Sequence, residues 1–103
     1  MANRDFEAAL ERLLQVAEKD TGQSRRVANF LLSWWNADTC GGFDPTELWG
    51  LDLDLCRDVL RVLTGLINAR SYPDSLGYDA RFHALVATWR PHLQNAPTVE
   101  ASV

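Results

Sequence analysis

The chain has 103 residues, 47% of them hydrophobic, which is one domain's length with enough apolar side chains to bury a core. The formal net charge of -4 and the scatter of the ten basic residues along the chain argue against binding to a phosphate backbone by counterion release. No apolar run approaches the roughly 20 residues of a membrane span, and no signal peptide is recognisable, so no membrane contact is expected.

Two amphipathic helices are predicted in the first part of the chain. Between residues 5 and 20, apolar side chains recur at helical spacing on one face. A second helix is predicted over residues 24–37, with Ser24 as its N-cap and an apolar arc that includes Trp34 and Trp35. Because only a narrow polar strip remains on this Trp-rich helix, we expect it at the centre of the fold. The apolar face of the first helix comprises Phe6, Leu10, Leu13, Leu14 and Ala17.

A tight turn and a short helix are predicted next. The pair Gly41-Gly42 allows positive φ, which favours a chain reversal after the second helix. The run Asp44-Pro45-Thr46-Glu47 is typical of a helix start, with Asp at the N-cap, Pro at the first position and Glu at the third. Phe43 and Leu48 have the spacing of a hydrophobic staple. The sequence therefore predicts one helical turn that ends near Trp49.

Two further long helices follow this turn. The third, capped by Asp52 or Asp54, is predicted to reach about Arg70, and the fourth runs from Tyr78 or Asp79 to about Arg90. Gly65 inside the third helix indicates either close packing by a neighbour or a tolerated weakness. The apolar half of the third helix, which we expect to face the core, comprises Leu55, Val59, Val62, Leu63, Leu66 and Ile67.

These elements predict an all-α fold, a compact bundle of four helices plus one short helical turn around the central second helix. Residues 3–91 are predicted to form a single helical domain. Residues 72–77 have the Pro and Gly of a turn, and residues 92–103 are predicted to form a flexible C-terminal tail.

The chain offers few groups for catalysis, so a small enzyme is the least favoured function. Cys40 in its Gly-rich turn is the one side chain placed like an exposed nucleophile, but Asp38 and Asp44 nearby oppose a lowered thiol pKa. His83 follows Asp79 by four residues, the spacing of a surface pair on a helix. The two Cys and the two His lack the close paired spacings of a zinc site, and no phosphate-binding Gly motif is present. We therefore expect no metal, no cofactor, and free thiols in a reducing cytoplasm.

Arg25 and Arg26 begin the second helix, where their charge opposes the helix dipole. They are the candidate residues for contact with an anion or a nucleic acid, which is the alternative function that we consider. The simpler interpretation is that Glu18 or Asp20 neutralises them.

The preferred function is a non-enzymatic protein-interaction module. The candidate partner-binding residues are Phe43, Asp44, Glu47 and Trp49, because aromatic anchors beside polar groups are typical of interface hot spots. The simpler interpretation of Phe43 and Trp49 is that both belong to the core. Homo-oligomerisation stays open, since the second and third helices carry wide apolar arcs.

Three stretches of the sequence resemble a family of short bacterial proteins that integrative and conjugative elements and plasmids carry. The stretches are ERLLQVAEKDTGQSRRVANFLLSWWNA, CGGFDPTELWGLD and YPDSLGY, and the resemblance covers roughly residues 7–91. The family is uncharacterised, so the resemblance implies no activity, cofactor or site residue. It implies a cytoplasmic bacterial accessory protein of a mobile element.

Overall fold

This computed structural model describes residues 2–93, which contain four α-helices and two 3₁₀ helices and no strand. The α-helices are α1 (Ala2–Ala17), α2 (Gly22–Cys40), α3 (Leu53–Ala69) and α4 (Asp79–Trp89), and the 3₁₀ helices span Pro45–Gly50 and Pro73–Leu76. The all-α bundle is thus confirmed, with a second short helix where only a turn was predicted. Of the predicted tail 92–103, residues 94–103 lie outside the described residues. None of the described helices is both long and apolar enough to cross a membrane.

The apolar faces of α1, α2 and α4 form most of the core, to which α3 contributes Val59 and Val62. Every residue of the predicted α1 face is buried, and α4 buries Phe82, Leu85 and Val86. α2 packs against α1, α4 and both 3₁₀ helices, in agreement with its predicted central place, whereas α3 packs mainly against α1. This difference in neighbours decides which side chains stay exposed on α3.

The ends of α2 differ from the prediction. Thr21, not Ser24, is the N-cap, because its hydroxyl oxygen accepts a hydrogen bond from the Ser24 backbone N–H at 3.0 Å. Asn36 leaves the helical conformation, with φ -165° and ψ 89°, and its side chain accepts a hydrogen bond from the Thr39 N–H. The last turn that follows this break extends α2 to Cys40, which is buried.

A buried carboxylate joins α1 to α3. Asp58 on α3 accepts hydrogen bonds from two Arg12 nitrogens, Nε at 2.9 Å and Nη2 at 2.8 Å, and from Arg61 Nη1 at 2.8 Å. Burial alone would raise the pKa of Asp58, but the hydrogen bonds and charges of Arg12 and Arg61 outweigh it, so its pKa lies below the ordinary value. Two turns further along α3, a Cβ at Gly65 would overlap the Phe6 ring, so this glycine is required by close packing.

Two Trp side chains that pack against the core donate hydrogen bonds from their indole N–H groups. Trp34 donates to the backbone oxygen of Ser71 at 3.0 Å, and Trp89 donates to that of Ala17 at 2.9 Å. Trp35 stacks on Phe82 with ring centroids 5.5 Å apart. These contacts tie the ends of α1, α2 and α4 together.

Candidate functional site

The segment of residues 41–52, called here the corner segment, connects α2 to α3. Asp44 caps its 3₁₀ helix as predicted, since the carboxylate accepts hydrogen bonds from the backbone N–H and the hydroxyl of Thr46, each at 2.9 Å. These hydrogen bonds, the backbone one above all, hold the pKa of Asp44 below its ordinary value. Phe43 packs edge-on against Phe30 of α2, with ring centroids 5.4 Å apart. The start of the corner segment is therefore fixed both by its own cap and by the core.

The polar strip of α2 faces the corner segment and holds it in place. Arg26 Nη1 lies 3.3 Å from Glu47 Oε1, and Asn29 donates to the other carboxylate oxygen at 3.4 Å. Gln23 accepts a hydrogen bond from the Asp52 N–H at 2.7 Å and donates to the Asp52 side chain at 3.3 Å. Gln23, Arg26 and Asn29 of α2 thus bind Glu47 within the short helix and Asp52 just after it.

The pairing of Arg26 corrects the prediction that Glu18 or Asp20 neutralises the two arginines. Glu18 instead accepts hydrogen bonds from Arg81 of α4. The guanidinium of Arg26 also lies against Gly50, where a Cβ would collide with it. Arg26 therefore contacts other residues of the fold, and Arg25 is the exposed arginine of the pair.

Trp49 is the outward-facing aromatic of the candidate surface. It is 86% exposed, whereas Phe43 is half-buried. The interpretation that both aromatic side chains belong to the core is therefore wrong for Trp49. Of the other two candidate residues, Asp44 is exposed at the cap and Glu47 is half-buried against α2.

A larger apolar surface on α3 was missed by the sequence analysis. Leu63 and Ile67, which were expected to face the core, are 37% and 62% exposed, and Leu60 is 60% exposed. The physical reason is that α1 covers one side of α3 only, so the apolar arc extends beyond its cover. In the described part of the chain, the exposed large hydrophobic residues all fall between positions 49 and 72: Trp49, Leu53, Leu60, Leu63, Ile67 and Tyr72.

The groups considered for catalysis do not converge. Cys40 is buried rather than exposed, and its backbone oxygen accepts a hydrogen bond from Arg90 at 2.9 Å. His83 is exposed on α4, where Nδ1 lies 3.0 Å from the Asp79 backbone oxygen and the ring meets the edge of Trp35. Within residues 2–93 no group of three His, Cys, Asp or Glu side chains could hold a metal ion.

An open cleft of about 500 Å³ lies beside the break in α2. Its lining includes Trp34, Asn36, Asp38 and Asp74, but neither His83 nor Cys40. The cleft therefore does not join the two groups considered for catalysis.

Comparison with known proteins gives one family match, which carries no known function. DUF7673, a family of unknown function, matches residues 7–90. No curated protein and no solved structure matches the chain significantly. The surface of this chain therefore carries the evidence for its function.

Proposed function

We propose that this chain, which belongs to the DUF7673 family, is a non-enzymatic protein-interaction module that binds another protein through Trp49. The observation that carries this proposal is the 86% exposure of a Trp side chain on a segment that α2 holds in place. Trp is the residue type most enriched at interface hot spots, together with Tyr and Arg. An indole that is left in water by a folded domain gains apolar contacts when a partner covers it.

The hydrogen bonds that hold the corner segment around Trp49 against α2 favour binding of a partner. Glu47 is held by Arg26 and Asn29, and Asp52 by Gln23, so the segment from Glu47 to Asp52 has little freedom to lose on association. A surface that is ordered before binding avoids part of the entropic cost of forming an interface. Of the four candidate residues, Trp49 then serves as the anchor and exposed Asp44 as a polar rim, while Phe43 and Glu47 support the segment from the α2 side.

The biological setting that we propose comes from the resemblance to the mobile-element proteins. It supports an accessory protein of a bacterial mobile element that acts in the cytoplasm. The size and acidic charge of this protein fit the role of a regulator or inhibitor. Such a protein would bind a protein of the host or of the mobile element itself. The net charge of -4 favours partners with a basic surface.

Nucleic-acid binding through Arg25 and Arg26 is the less supported alternative. The Arg26 guanidinium already lies 3.3 Å from the Glu47 carboxylate, which leaves Arg25 as the exposed charge at this helix start. A titration with duplex DNA at low ionic strength separates the two functions. Binding that weakens steeply with salt would favour the nucleic-acid function.

The test of the protein-binding function is a pull-down from the cytoplasm of a bacterium that encodes the protein. The wild type is compared with Trp49→Ala and with Tyr72→Ala, which removes another exposed aromatic side chain, 63% exposed, outside the corner segment. We expect at least one protein to be captured by the wild type and by Tyr72→Ala but not by Trp49→Ala. Capture of the same proteins by all three, or of none by any, would contradict the proposal.

A further inference from the structure

Five residues of α3 form a continuous line on its exposed side, called here the α3 stripe. They are Leu53, Cys56, Leu60, Leu63 and Ile67, and their spacing of three, four, three and four residues is that of the a and d positions of a coiled coil. Four of them are among the most exposed apolar residues of the described chain, at 37–70% exposure. The fifth, Cys56, is half-buried, and its Sγ lies 3.3 Å from the Leu48 backbone oxygen.

Apart from Cys56, which the corner segment covers in part, the α3 stripe lies open in the part of the chain that the structure describes. The side of α3 that meets α1 carries buried Val59, Val62 and Gly65, and the stripe follows a different side of the same helix. A contiguous exposed apolar patch of this kind on a folded domain marks an interaction surface. The spacing of the stripe indicates that its partner is another helix of similar length.

We propose that the α3 stripe pairs with the α3 stripe of a second copy of this chain, antiparallel and about a two-fold axis. A two-fold axis midway between Leu60 and Leu63 makes the surface self-complementary. Each Leu60 then meets Leu63 of the second copy, and each Ile67 meets Cys56 of the second copy. The four leucines form the centre of the interface.

The charges at the two ends of α3 fit the antiparallel arrangement. Exposed Asp52 and Asp54 lie at the start of the helix, and exposed Arg70 lies at its end, in the left-handed conformation that terminates α3. In the antiparallel register Arg70 of one copy lies over the Leu53 end of the other, beside these two carboxylates. A parallel pair would instead place like charges together and align the helix dipoles unfavourably.

The charges along the middle of α3 do not oppose the pairing. Arg57 lies 3.3 Å from Asp54, and Arg61 lies 2.8 Å from Asp58, which Arg12 also binds, so each of the two arginines faces a carboxylate of its own chain. The residues of the stripe itself carry no charge. Two copies can therefore approach without leaving a buried unpaired charge.

The size of α3 sets the expected strength of the dimer. Its 17 residues make a helix about 25 Å long and roughly 10 Å wide, so the footprint of the pairing is on the order of 250 Å² on each copy. Stable interfaces cover roughly 800 Å² on each partner, and smaller ones belong to weak or transient complexes. We therefore expect a dimer that dissociates on dilution.

Sedimentation analysis of the full chain over a wide range of micromolar concentrations tests the dimer. We expect the wild type to approach twice the chain mass of 11.6 kDa on concentration, and Leu60→Lys to stay at the chain mass. Leu60 is 60% exposed, so this variant keeps its fold, which circular dichroism checks. Thr88→Lys adds the same charge at an exposed position of α4 and should dimerise like the wild type. A wild type that is monomeric throughout, or a Leu60→Lys dimer of equal strength, overturns the proposal.

The antiparallel register has a test of its own, because Cys56 is a native thiol. Ile67→Cys should form a disulfide with Cys56 of the second copy when glutathione disulfide serves as the oxidant and is itself reduced to glutathione. In the antiparallel register two Cys56 residues are 11 positions apart along the pair, roughly 16 Å, beyond disulfide reach. The wild type should therefore stay uncrosslinked. A wild-type disulfide, or none in Ile67→Cys, contradicts the register.

The dimer and the proposed function can fail separately. Leu60→Lys tests the dimer without altering the corner segment, and Trp49→Ala tests partner binding without altering the α3 stripe. A monomeric protein that still loses its partner in Trp49→Ala would overturn this inference and leave the proposed function intact.

Discussion

Arg26 of α2 and Glu47 of the corner segment neutralise each other, with Arg26 Nη1 3.3 Å from Glu47 Oε1. Both side chains had been candidates for contact with a partner, and both instead fix the segment that presents Trp49. The guanidinium also lies against the backbone at Gly50, and Asn29 binds the second Glu47 oxygen. The exposed indole therefore projects from a segment held by several polar contacts.

The coupling between Arg26 and Glu47 can be measured by a double-mutant cycle of Arg26→Ala and Glu47→Ala. Because the pair is half-buried and belongs to a hydrogen-bonded network, we expect a coupling free energy of about 1 kcal/mol in urea unfolding, at the upper end for partly exposed pairs. The exposed pair Arg57 and Asp54 serves as the control cycle, with an expected coupling of a few tenths of a kcal/mol. Strictly additive effects at Arg26 and Glu47 would show that the pair does not hold the corner segment.

Trp49→Ala should leave the free energy of unfolding within about 0.5 kcal/mol of the wild type, since a side chain this exposed contributes little to the core. The same variant should lose most of the fluorescence that acrylamide quenches readily. Trp34→Ala is the contrasting variant, because Trp34 packs against Phe6 and Phe82 and donates a hydrogen bond to Ser71. It should cost about 3 kcal/mol or more. Equal destabilisation by the two variants would place Trp49 in the core after all.

Gly65→Ala should destabilise the protein although alanine favours helices by about 1 kcal/mol over glycine. The new methyl group overlaps the Phe6 ring, and overpacking of this kind costs about 1–3 kcal/mol. Thermal unfolding of Gly65→Ala beside Phe6→Leu/Gly65→Ala measures the effect, and the smaller residue at position 6 should restore part of the loss. Thr64→Ala, at the exposed neighbouring position, should be neutral or slightly stabilising. A stabilising Gly65→Ala would mean that α1 and α3 pack less closely than described.

Asp58 should make the protein sensitive to acid. Its pKa is lower in the folded chain than the ordinary value of 3.8, so its stabilising effect is complete above that value and is lost as the pH falls through the folded pKa. At neutral pH we expect Asp58→Asn to cost about 2 kcal/mol, the range of hydrogen bonds to a charged group. The difference between the two proteins in urea unfolding should shrink below about pH 4. A difference that stays constant at all pH values would mean that Arg12 and Arg61 do not stabilise the charged form.

Local patterns in the sequence predicted the apolar faces of two helices and the start of the short helix correctly. The apolar faces of α1 and α4 follow from helical spacing, and the Asp44 cap with Pro45 at the first helical position follows from the chemistry of helix starts. Each of these features depends on residues within a few positions of one another. These features therefore do not depend on how the helices pack against one another.

The features that the sequence did not predict depend on which elements become neighbours. Leu63 and Ile67 have the same spacing whether or not a helix covers them, and only the packing of α3 mainly on α1 leaves them exposed. The partner of Arg26 lies 21 residues away in Glu47, and no local signal points to it. Cys40 is buried because α2 continues for another turn after its break at Asn36. The pair Gly41-Gly42 indicated a turn at this point, so the sequence did not predict the extra helical turn.

The most direct test of the central claim is photo-crosslinking from position 49 in living cells. A photoreactive phenylalanine analogue replaces Trp49 in one variant and Thr88, exposed on α4, in the other. If the protein binds a partner through Trp49, illumination gives an adduct with a different protein from position 49 and not from position 88. The absence of such an adduct at position 49, or equal yields from both positions, would contradict the account.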